Sequence, residues 1–98
     1  MIRVQAEDFD AGAELAAFAS GNGRVGGVCM FLGLVRDYMG DGTDVSAMTL
    51  EHYPGMTEKQ LAAIETEARW RWPLEDALII HRHGRLAAGD RIVLVATA

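Results

Sequence analysis

The sequence predicts an α+β domain in which two helices pack on a mostly antiparallel sheet. The predicted elements follow one another as strand, helix, strand, strand, helix, strand, strand. Helical signals occur twice, and short apolar runs bounded by turn residues surround them. With 98 residues, of which 50% are hydrophobic, the chain is long enough for one core. We therefore expect a single domain over residues 1–98.

The N-terminal part is predicted to contain two strands around one helix. The first strand covers Ile2 to Ala6, and an alanine-rich segment with an acidic start then predicts a helix from about Asp10 to Ser20. The next run, GRVGGVCMFLGLVRDY, is long and apolar, but its glycines disfavour a helix. We expect a strand that is kinked or bulged near these glycines.

The clearest local signal is the start of the second helix. A loop over DYMGDGTDVS and a strand over SAMTLEHY come first, and Pro54 and Gly55 then form a turn. Thr57 is expected to cap the helix, and Gln60 would complete a capping box. The helix is expected to stop at Pro73. Its apolar stripe consists of Leu61, Ile64, Ala68 and Trp72.

The C-terminal segment predicts two more strands. One covers Ala77 to His83, and the other covers RIVLVATA after a turn at AAGD. The last strand stops within an apolar run, without a polar tail or a cap. Because domains seldom end on a bare strand, we expect that residues after Ala98 are missing or that the chain is a fragment.

Composition argues against several classes of protein. The formal net charge of −5 disfavours a general nucleic-acid-binding protein, which would carry a basic face. The N-terminus lacks the apolar segment of a signal peptide, and no apolar run approaches the roughly 20 residues of a membrane-spanning helix. The lone cysteine, Cys29, fits a reducing compartment and is expected to pack as a small apolar residue. These features predict a cytoplasmic protein.

Arg36 is the first candidate for a functional residue. It closes an apolar strand just before a glycine-rich loop, where a guanidinium can bind a phosphate or a carboxylate through two hydrogen bonds. On local sequence alone, an ion pair with Asp37 or another acid is the commoner role for such an arginine.

Two groups of polar residues are further candidates. Glu51, His52 and Tyr53 could form an acid–base pair or a polar latch. Because neighbouring strand residues point to opposite faces, bonds to the adjacent turn are favoured over a dyad. His81 and His83 share a strand face and could hold zinc or copper, but no third ligand stands at a supporting spacing. We therefore expect no metal site.

Four segments together resemble the large, catalytic subunit of molybdopterin synthase. They are FLGLVRDYMGD, LEHYPGMTEKQL, RWPLEDALIIHRHGRLAAGD and RIVLVATA, and the resemblance extends from about Gly27 to Ala98. The occurrence of LEHY followed by HRHG at this spacing is specific to that family. The resemblance implies an α/β hammerhead fold with an added antiparallel subdomain.

The resemblance also implies a reaction and its partners. The family converts cyclic pyranopterin monophosphate into molybdopterin by adding two sulfurs as a dithiolene. The sulfur arrives as a thiocarboxylate on the C-terminal Gly-Gly of a small ubiquitin-like sulfur-carrier subunit, whose tail enters a pocket of the large subunit. Large subunits form a homodimer with one small subunit at each end, and the step needs no metal or other cofactor.

The resemblance assigns roles to individual residues. Arg36 matches the family's strand-end arginine in the substrate pocket and is the expected catalytic residue. The substrate phosphate and the thiocarboxylate tail are both anionic, so such a pocket requires a fixed cation. The expected substrate-binding neighbours are Phe31, Leu34 and Val35. The positions expected to be architectural near the site are Glu51, His52, Tyr53, His81 and Arg82.

Other functional residues of the family have no match in this sequence. A His-Arg pair and two lysines are expected beyond the strand that matches VLVATA, whereas Lys59, the only lysine here, lies in the second predicted helix. We therefore expect these 98 residues to be inactive by themselves. The alternative is a non-catalytic relative that dimerises or binds the sulfur carrier without turnover.

Overall fold

The computed structural model describes residues 1–37 and 47–98. Its strands are β1 (Ile2–Gln5), β2 (Cys29–Leu34), β3 (Ala47–Leu50), β4 (Ala77–Arg82), β5 (Gly84–Ala87) and β6 (Arg91–Thr97). Its helices are α1 (Ala11–Ala19) and α2 (Met56–Arg71). The predicted loop over DYMGDGTDVS lies outside the described residues except for Asp37. In the part that is described, no helix is long and apolar enough to cross a membrane.

The strands form two sheets, and most of their pairings are antiparallel. The larger sheet has the order β1–β4–β6–β2, in which only the β1–β4 pair is parallel. β3 and β5 pair antiparallel as a separate two-stranded sheet. Two helices on a mostly antiparallel sheet confirm the predicted α+β class.

The main core lies between α1 and one face of the larger sheet. The register places Ile80 beside Leu94 and Leu78 beside Ala96, and alternation turns all four side chains to this face. Phe9 joins them in a buried cluster. The cluster is closed on the helix side by Ala11 and Phe18, which are partly buried against it. α2 packs elsewhere, against β1 at the edge of the sheet.

Capping explains why α1 forms where the sequence predicts it. The Asp10 carboxylate accepts a hydrogen bond from the Ala13 backbone N–H at 2.9 Å, which satisfies one of the free donors of the first turn. Ser20 is the C-terminal cap residue. The predicted helix from about Asp10 to Ser20 is therefore confirmed, with its two end residues acting as the caps.

The start of α2 differs from the prediction. The cap residue is Gly55, and the Glu58 carboxylate accepts a hydrogen bond from its N–H at 2.8 Å. Thr57 already lies inside the first turn, so the expected capping box of Thr57 and Gln60 is wrong. The reason is the preceding turn, because the Tyr53 carbonyl accepts hydrogen bonds from the N–H groups of residues 56 and 57 and starts the helix early.

The apolar stripe of α2 is only partly covered. Leu61 and Ala68 are half-buried, whereas Ile64 and Trp72 remain 58% and 56% exposed. A helix that packs on the edge strand of a sheet covers a narrower face than one that packs on its centre. The helix ends at Arg71, two residues before Pro73, as the sequence predicts.

The structure contains one strand more than the prediction. β4 ends at Arg82 rather than His83, because the chain turns at Gly84 with a φ of +91°. β5 begins at that glycine and pairs with β3 instead of extending β4. The sequence HRHGRL resembles the end of a single strand. Its division between β4 and β5 becomes evident only from the pairing of β5 with β3.

The predicted bulge in β2 is confirmed. The register with β6 shifts between Gly33 and Leu34. A β-carbon at Gly33 would lie 2.8 Å from Cγ1 of Val93, so any larger residue there would force the Val93 side chain or the strand to shift. Cys29 is exposed, so the expectation that it packs as a small apolar residue is wrong. Among the described strands β2 is an end strand, which leaves its side chains less covered than those of β4.

Candidate active site

Arg36 lines a cleft of about 460 Å³ at the end of β2. One wall of the cleft is the backbone from Leu34 to Asp37, and the other is the segment Ala88–Gly89 between β5 and β6. The Arg36 side chain is exposed. It forms no ion pair with a carboxylate of residues 1–37 or 47–98. Asp37 lines the same cleft but does not pair with Arg36.

Backbone hydrogen bonds join the two walls of the cleft. The Gly89 N–H donates to the Val35 carbonyl at 2.8 Å, and the Val35 N–H donates to the Asp90 carbonyl at 2.9 Å. Val35 itself is only 3% exposed. These two bonds, here called the Val35 clamp, fix the peptide that precedes Arg36. The arginine therefore projects from a held backbone position rather than from a free loop end.

The structure brings together three of the four residues expected to bind substrate. Leu34, Val35 and Arg36 all line the cleft, although the burial of Val35 means that its backbone is the part available to the site. Phe31 does not line it. Its ring lies further back along β2, beside Gly33, and is 62% exposed.

The corner between β3 and α2 holds a second group of predicted residues. His52 Nε2 lies 2.9 Å from Glu58 Oε1, and this hydrogen bond lowers the pKa of Glu58. The His52 ring also stacks on His83, with ring centroids 4.1 Å apart and planes inclined by 22°. The Tyr53 hydroxyl donates to the Glu51 carboxylate, which raises the pKa of Tyr53. These contacts connect the end of β3, the first turn of α2 and the β4–β5 junction.

The two histidines that could have formed a metal site make separate contacts. His81 Nδ1 lies 2.8 Å from the Arg82 carbonyl oxygen, whereas His83 stacks on His52. Within residues 1–37 and 47–98, no group of three or more His, Cys, Asp or Glu side chains is arranged to hold a metal ion.

Arg82 belongs to a charged network near the same end of the sheet. Its side chain is 11% exposed and donates to the backbone carbonyls of Ala6 and Arg91 at 3.1 and 3.0 Å. Asp8 accepts hydrogen bonds from Arg91 at 2.6 and 3.0 Å and lies 3.5 Å from Arg82. The network ties the segment after β1 to the start of β6, which is adjacent to the cleft.

The Asp8 network predicts a specific acid sensitivity. The hydrogen bond from Arg91 lowers the pKa of Asp8 from its usual 3.8 to about 2. Because this pKa is depressed in the folded protein, ionised Asp8 stabilises the fold above about pH 4, and that contribution is lost as the pH falls towards 2. We expect Asp8→Asn to flatten the acid dependence of the melting temperature between about pH 4 and pH 2. Asp8 is exposed, so the effect should be modest and weaker in high salt.

A matched substitution at Glu67 controls for this test. Glu67 also pairs with an arginine, Arg71, but the two lie one turn apart on α2 and both side chains are exposed, so the pair should contribute little to stability. Glu67→Gln should leave the acid dependence of the melting temperature between about pH 4 and pH 2 unchanged. An Asp8→Asn protein whose melting temperature follows the parent curve at every pH would contradict the assignment.

Sequence reasoning missed several residues that shape the site. Asp8, Gly89 and Asp90 were not singled out, although the first carries a depressed pKa and the other two form the Val35 clamp. A local signal existed only for the last two, because a Gly-Asp pair in a short turn between strands often makes side-chain bonds to its own backbone. The turn also contacts Val35, which lies more than fifty positions earlier in the chain. No local sequence pattern predicts this contact.

Comparison with known proteins identifies the family. A family model described as MoaE protein matches residues 4–98. The molybdopterin synthase catalytic subunit of Ralstonia nicotianae is 59% identical over 97 residues, which are 99% of this chain and 54% of that protein. The protein of the same name from Cereibacter sphaeroides is 55% identical, and the aligned residues are 99% of this chain and 64% of that protein.

Solved structures agree with these matches. The MoaE protein of molybdopterin biosynthesis from Burkholderia ambifaria superimposes with a TM-score of 0.87 at 52% identity, over 99% of this chain and 62% of that one. Molybdopterin synthase from Staphylococcus aureus gives a TM-score of 0.84 at 30% identity, over 97% of this chain and 67% of that one. The chain thus spans between 54% and 64% of the two curated relatives named above. The family-model match over nearly all its residues shows that the chain belongs to the MoaE protein family.

Proposed function

We propose that this chain acts in molybdenum cofactor biosynthesis as the catalytic subunit of a molybdopterin synthase. The reaction transfers sulfur from the thiocarboxylated C-terminus of a small carrier subunit to cyclic pyranopterin monophosphate and gives the dithiolene of molybdopterin. The observation that carries the proposal is the cleft at Arg36. The residue that the family resemblance assigns to the substrate pocket lines an open cleft of about 460 Å³ on a held backbone.

Arg36 suits this chemistry because both reactants are anionic. A guanidinium can bind the cyclic phosphate, or the thiocarboxylate, through two parallel hydrogen bonds. When the acyl carbon of the tail is attacked, negative charge develops on its oxygen, and a fixed cation stabilises that charge without reorganising. Asp37 lines the same cleft and would oppose an anion there, so we propose that the anion sits on the Arg36 side of the cleft.

We propose further that residues 1–98 do not complete the reaction by themselves. Their only lysine, Lys59, lies in the first turn of α2 and does not line the cleft. The resemblance assigns acid–base and covalent roles to two lysines that match no position here. The cleft of these 98 residues therefore supplies an anion-binding group but no ammonium group for acyl transfer.

Reconstitution tests the proposal. The protein is mixed with a thiocarboxylated small subunit and cyclic pyranopterin monophosphate, and molybdopterin is measured by chromatography. The Ralstonia nicotianae relative serves as a positive control. We expect a polypeptide of residues 1–98 to bind the small subunit without turnover, and a chimera that appends the C-terminal part of the relative after Ala98 to form molybdopterin.

The outcomes separate the proposal from its alternative. Turnover by the chimera, lost when Arg36 is replaced, supports a synthase. Binding of the small subunit by an inactive chimera supports a non-catalytic binding module instead. If neither polypeptide binds the small subunit, both readings of the cleft fail.

We also propose that the protein works in the cytoplasm as a homodimer with one small subunit at each end. Support comes from the family resemblance and from the lone, unpaired Cys29, which suits a reducing compartment. Light scattering of the purified complex tests the assembly, and a mass of one large and one small subunit would reject it. Cell fractionation tests the location, which recovery in a secreted or periplasmic fraction would overturn.

We propose an architectural role for the corner residues Glu51, His52 and Tyr53 and for His81 and Arg82. The clearest test is His52→Ala, which removes both the hydrogen bond to Glu58 and the stacking on His83. We expect a lower melting temperature, because the start of α2 loses its tie to the β4–β5 junction, but an unchanged turnover per folded molecule in the reconstituted synthase. A variant of parental stability without activity would instead assign His52 to the chemistry.

A further inference from the structure

We infer that Asp90 is a positioning residue for Arg36, acting through the turn between β5 and β6 and the Val35 clamp. Asp90 does not line the cleft and would touch neither reactant. Its effect on the reaction would instead come from holding the backbone from which Arg36 projects. The activity part of this inference rests on the proposed function, whereas its structural part can be tested without any turnover.

The side chain of Asp90 closes the turn on itself. Its Oδ2 accepts a hydrogen bond from the Ala87 N–H at 2.8 Å. Its own N–H donates to the Ala87 carbonyl at 3.0 Å. Two bonds between the same two residues fix the intervening pair, Ala88 and Gly89, which form one wall of the cleft.

The turn closed by Asp90 also holds Val35, the residue before Arg36. The Asp90 carbonyl accepts from the Val35 N–H at 2.9 Å, and the Gly89 N–H donates to the Val35 carbonyl at 2.8 Å. Both polar backbone groups of Val35 are therefore satisfied by this turn alone. Because Val35 is nearly fully buried, an opened turn would leave these groups without partners, which is costly.

The neighbouring charges leave the Asp90 carboxylate available for the turn. Arg91 is the adjacent cation, but its guanidinium is bound by the two carboxylate oxygens of Asp8 at 3.0 and 2.6 Å. Asp90 forms no ion pair within residues 1–37 and 47–98. Its carboxylate accepts a hydrogen bond from the backbone N–H of Ala87, which is the contact that closes the turn.

Amide hydrogen exchange tests the structural part. Asp90→Ala should speed exchange at the Val35 amide by about three- to tenfold, as expected for loss of one supporting hydrogen bond. The core amide of Leu94 should be unaffected and serves as the internal reference. Asp90→Asn should behave like the parent, because its side-chain oxygen can still accept from Ala87. Equal acceleration at Val35 and Leu94 would mean general destabilisation and would overturn the inference.

A double-mutant cycle tests the functional part in the reconstituted chimera with its small subunit. Asp90→Ala should lower kcat/KM about tenfold in the parent but have almost no effect in an Arg36→Ala background, because its action passes through the arginine. Asp76→Ala is the control, at an aspartate that also pairs with Arg69 at 3.4 Å. Its carboxylate also accepts a backbone N–H, that of Ala77 at 2.8 Å, at the opposite end of the sheet.

The results distinguish failure of the inference from failure of the proposed function. Additive losses in the cycle, or an equal loss in Asp76→Ala, would overturn the positioning role even if the enzyme is active. If the parent chimera forms no molybdopterin, the proposed function fails, and the exchange experiment alone decides whether Asp90 holds the Val35 clamp.

Discussion

Replacing Arg36 with alanine is expected to reduce molybdopterin formation by about two to three orders of magnitude while the protein stays folded. The expected loss is large because the guanidinium would bind an anionic reactant and stabilise charge that develops during acyl attack. Folding should be unaffected, since Arg36 is exposed and pairs with no carboxylate of residues 1–37 and 47–98. The measurement is single-turnover sulfur transfer in the reconstituted chimera, with circular dichroism melting as the check on folding.

Two further variants make the Arg36 experiment specific. Arg36→Lys keeps the positive charge but loses the bidentate geometry, so it should recover part of the lost rate. Arg71→Ala removes the same charge from an exposed position on α2, where the arginine pairs with Glu67, and should leave the rate unchanged. If Arg36→Ala transfers sulfur at the parental rate, Arg36 does not belong to the reacting site.

Several elements of the fold were predictable because their causes are local. The Asp10 cap and the alanine-rich stretch after it are sufficient to define α1. The glycine-interrupted run around Gly33 predicts a bulged strand, and the register shift occurs at that glycine. In both cases the residue that decides the structure lies within the element itself.

Other features depend on partners that are distant in the chain. β5 exists as a separate strand because β3 pairs with it, and nothing in HRHGRL encodes that pairing. The second helix begins at Met56 because the backbone turn at Tyr53 feeds directly into it, which outweighed the better side-chain cap offered by Thr57. A local capping pattern competes with turn geometry, and the sequence alone does not decide between them.

The candidate site was predictable only through resemblance. A strand-end arginine beside an aspartate is most often a surface ion pair, and the local pattern favoured that interpretation for Arg36. The family motif reversed the expectation, and in the structure Arg36 lines a cleft without pairing with Asp37. The residues that hold it, Val35 and Asp90, meet only through tertiary structure. Their roles follow from hydrogen bonds that no spacing rule in the sequence contains.

Replacing Leu94 with alanine is expected to lower the free energy of unfolding by about 2–5 kcal/mol. Leu94 is 0% exposed, pairs with Ile80 in register, and belongs to the cluster that joins β4 and β6 to α1. A domain of this size has a total stability of only about 5–15 kcal/mol, so the loss should remove a large share of it. Thermal unfolding should show a melting temperature at least about 10 °C lower.

The matched control for Leu94 is Ile64→Ala on α2. It also removes a large aliphatic side chain, but Ile64 is 58% exposed, so little buried apolar surface is lost and alanine even favours a helix. Denaturant unfolding of both variants therefore measures how the loss in unfolding free energy depends on burial, since the two side chains are similar in size. Similar losses in the two proteins would mean that Ile64 is covered in solution by a surface outside these described residues, and that the face of α2 is an interface rather than an exposed side of the domain.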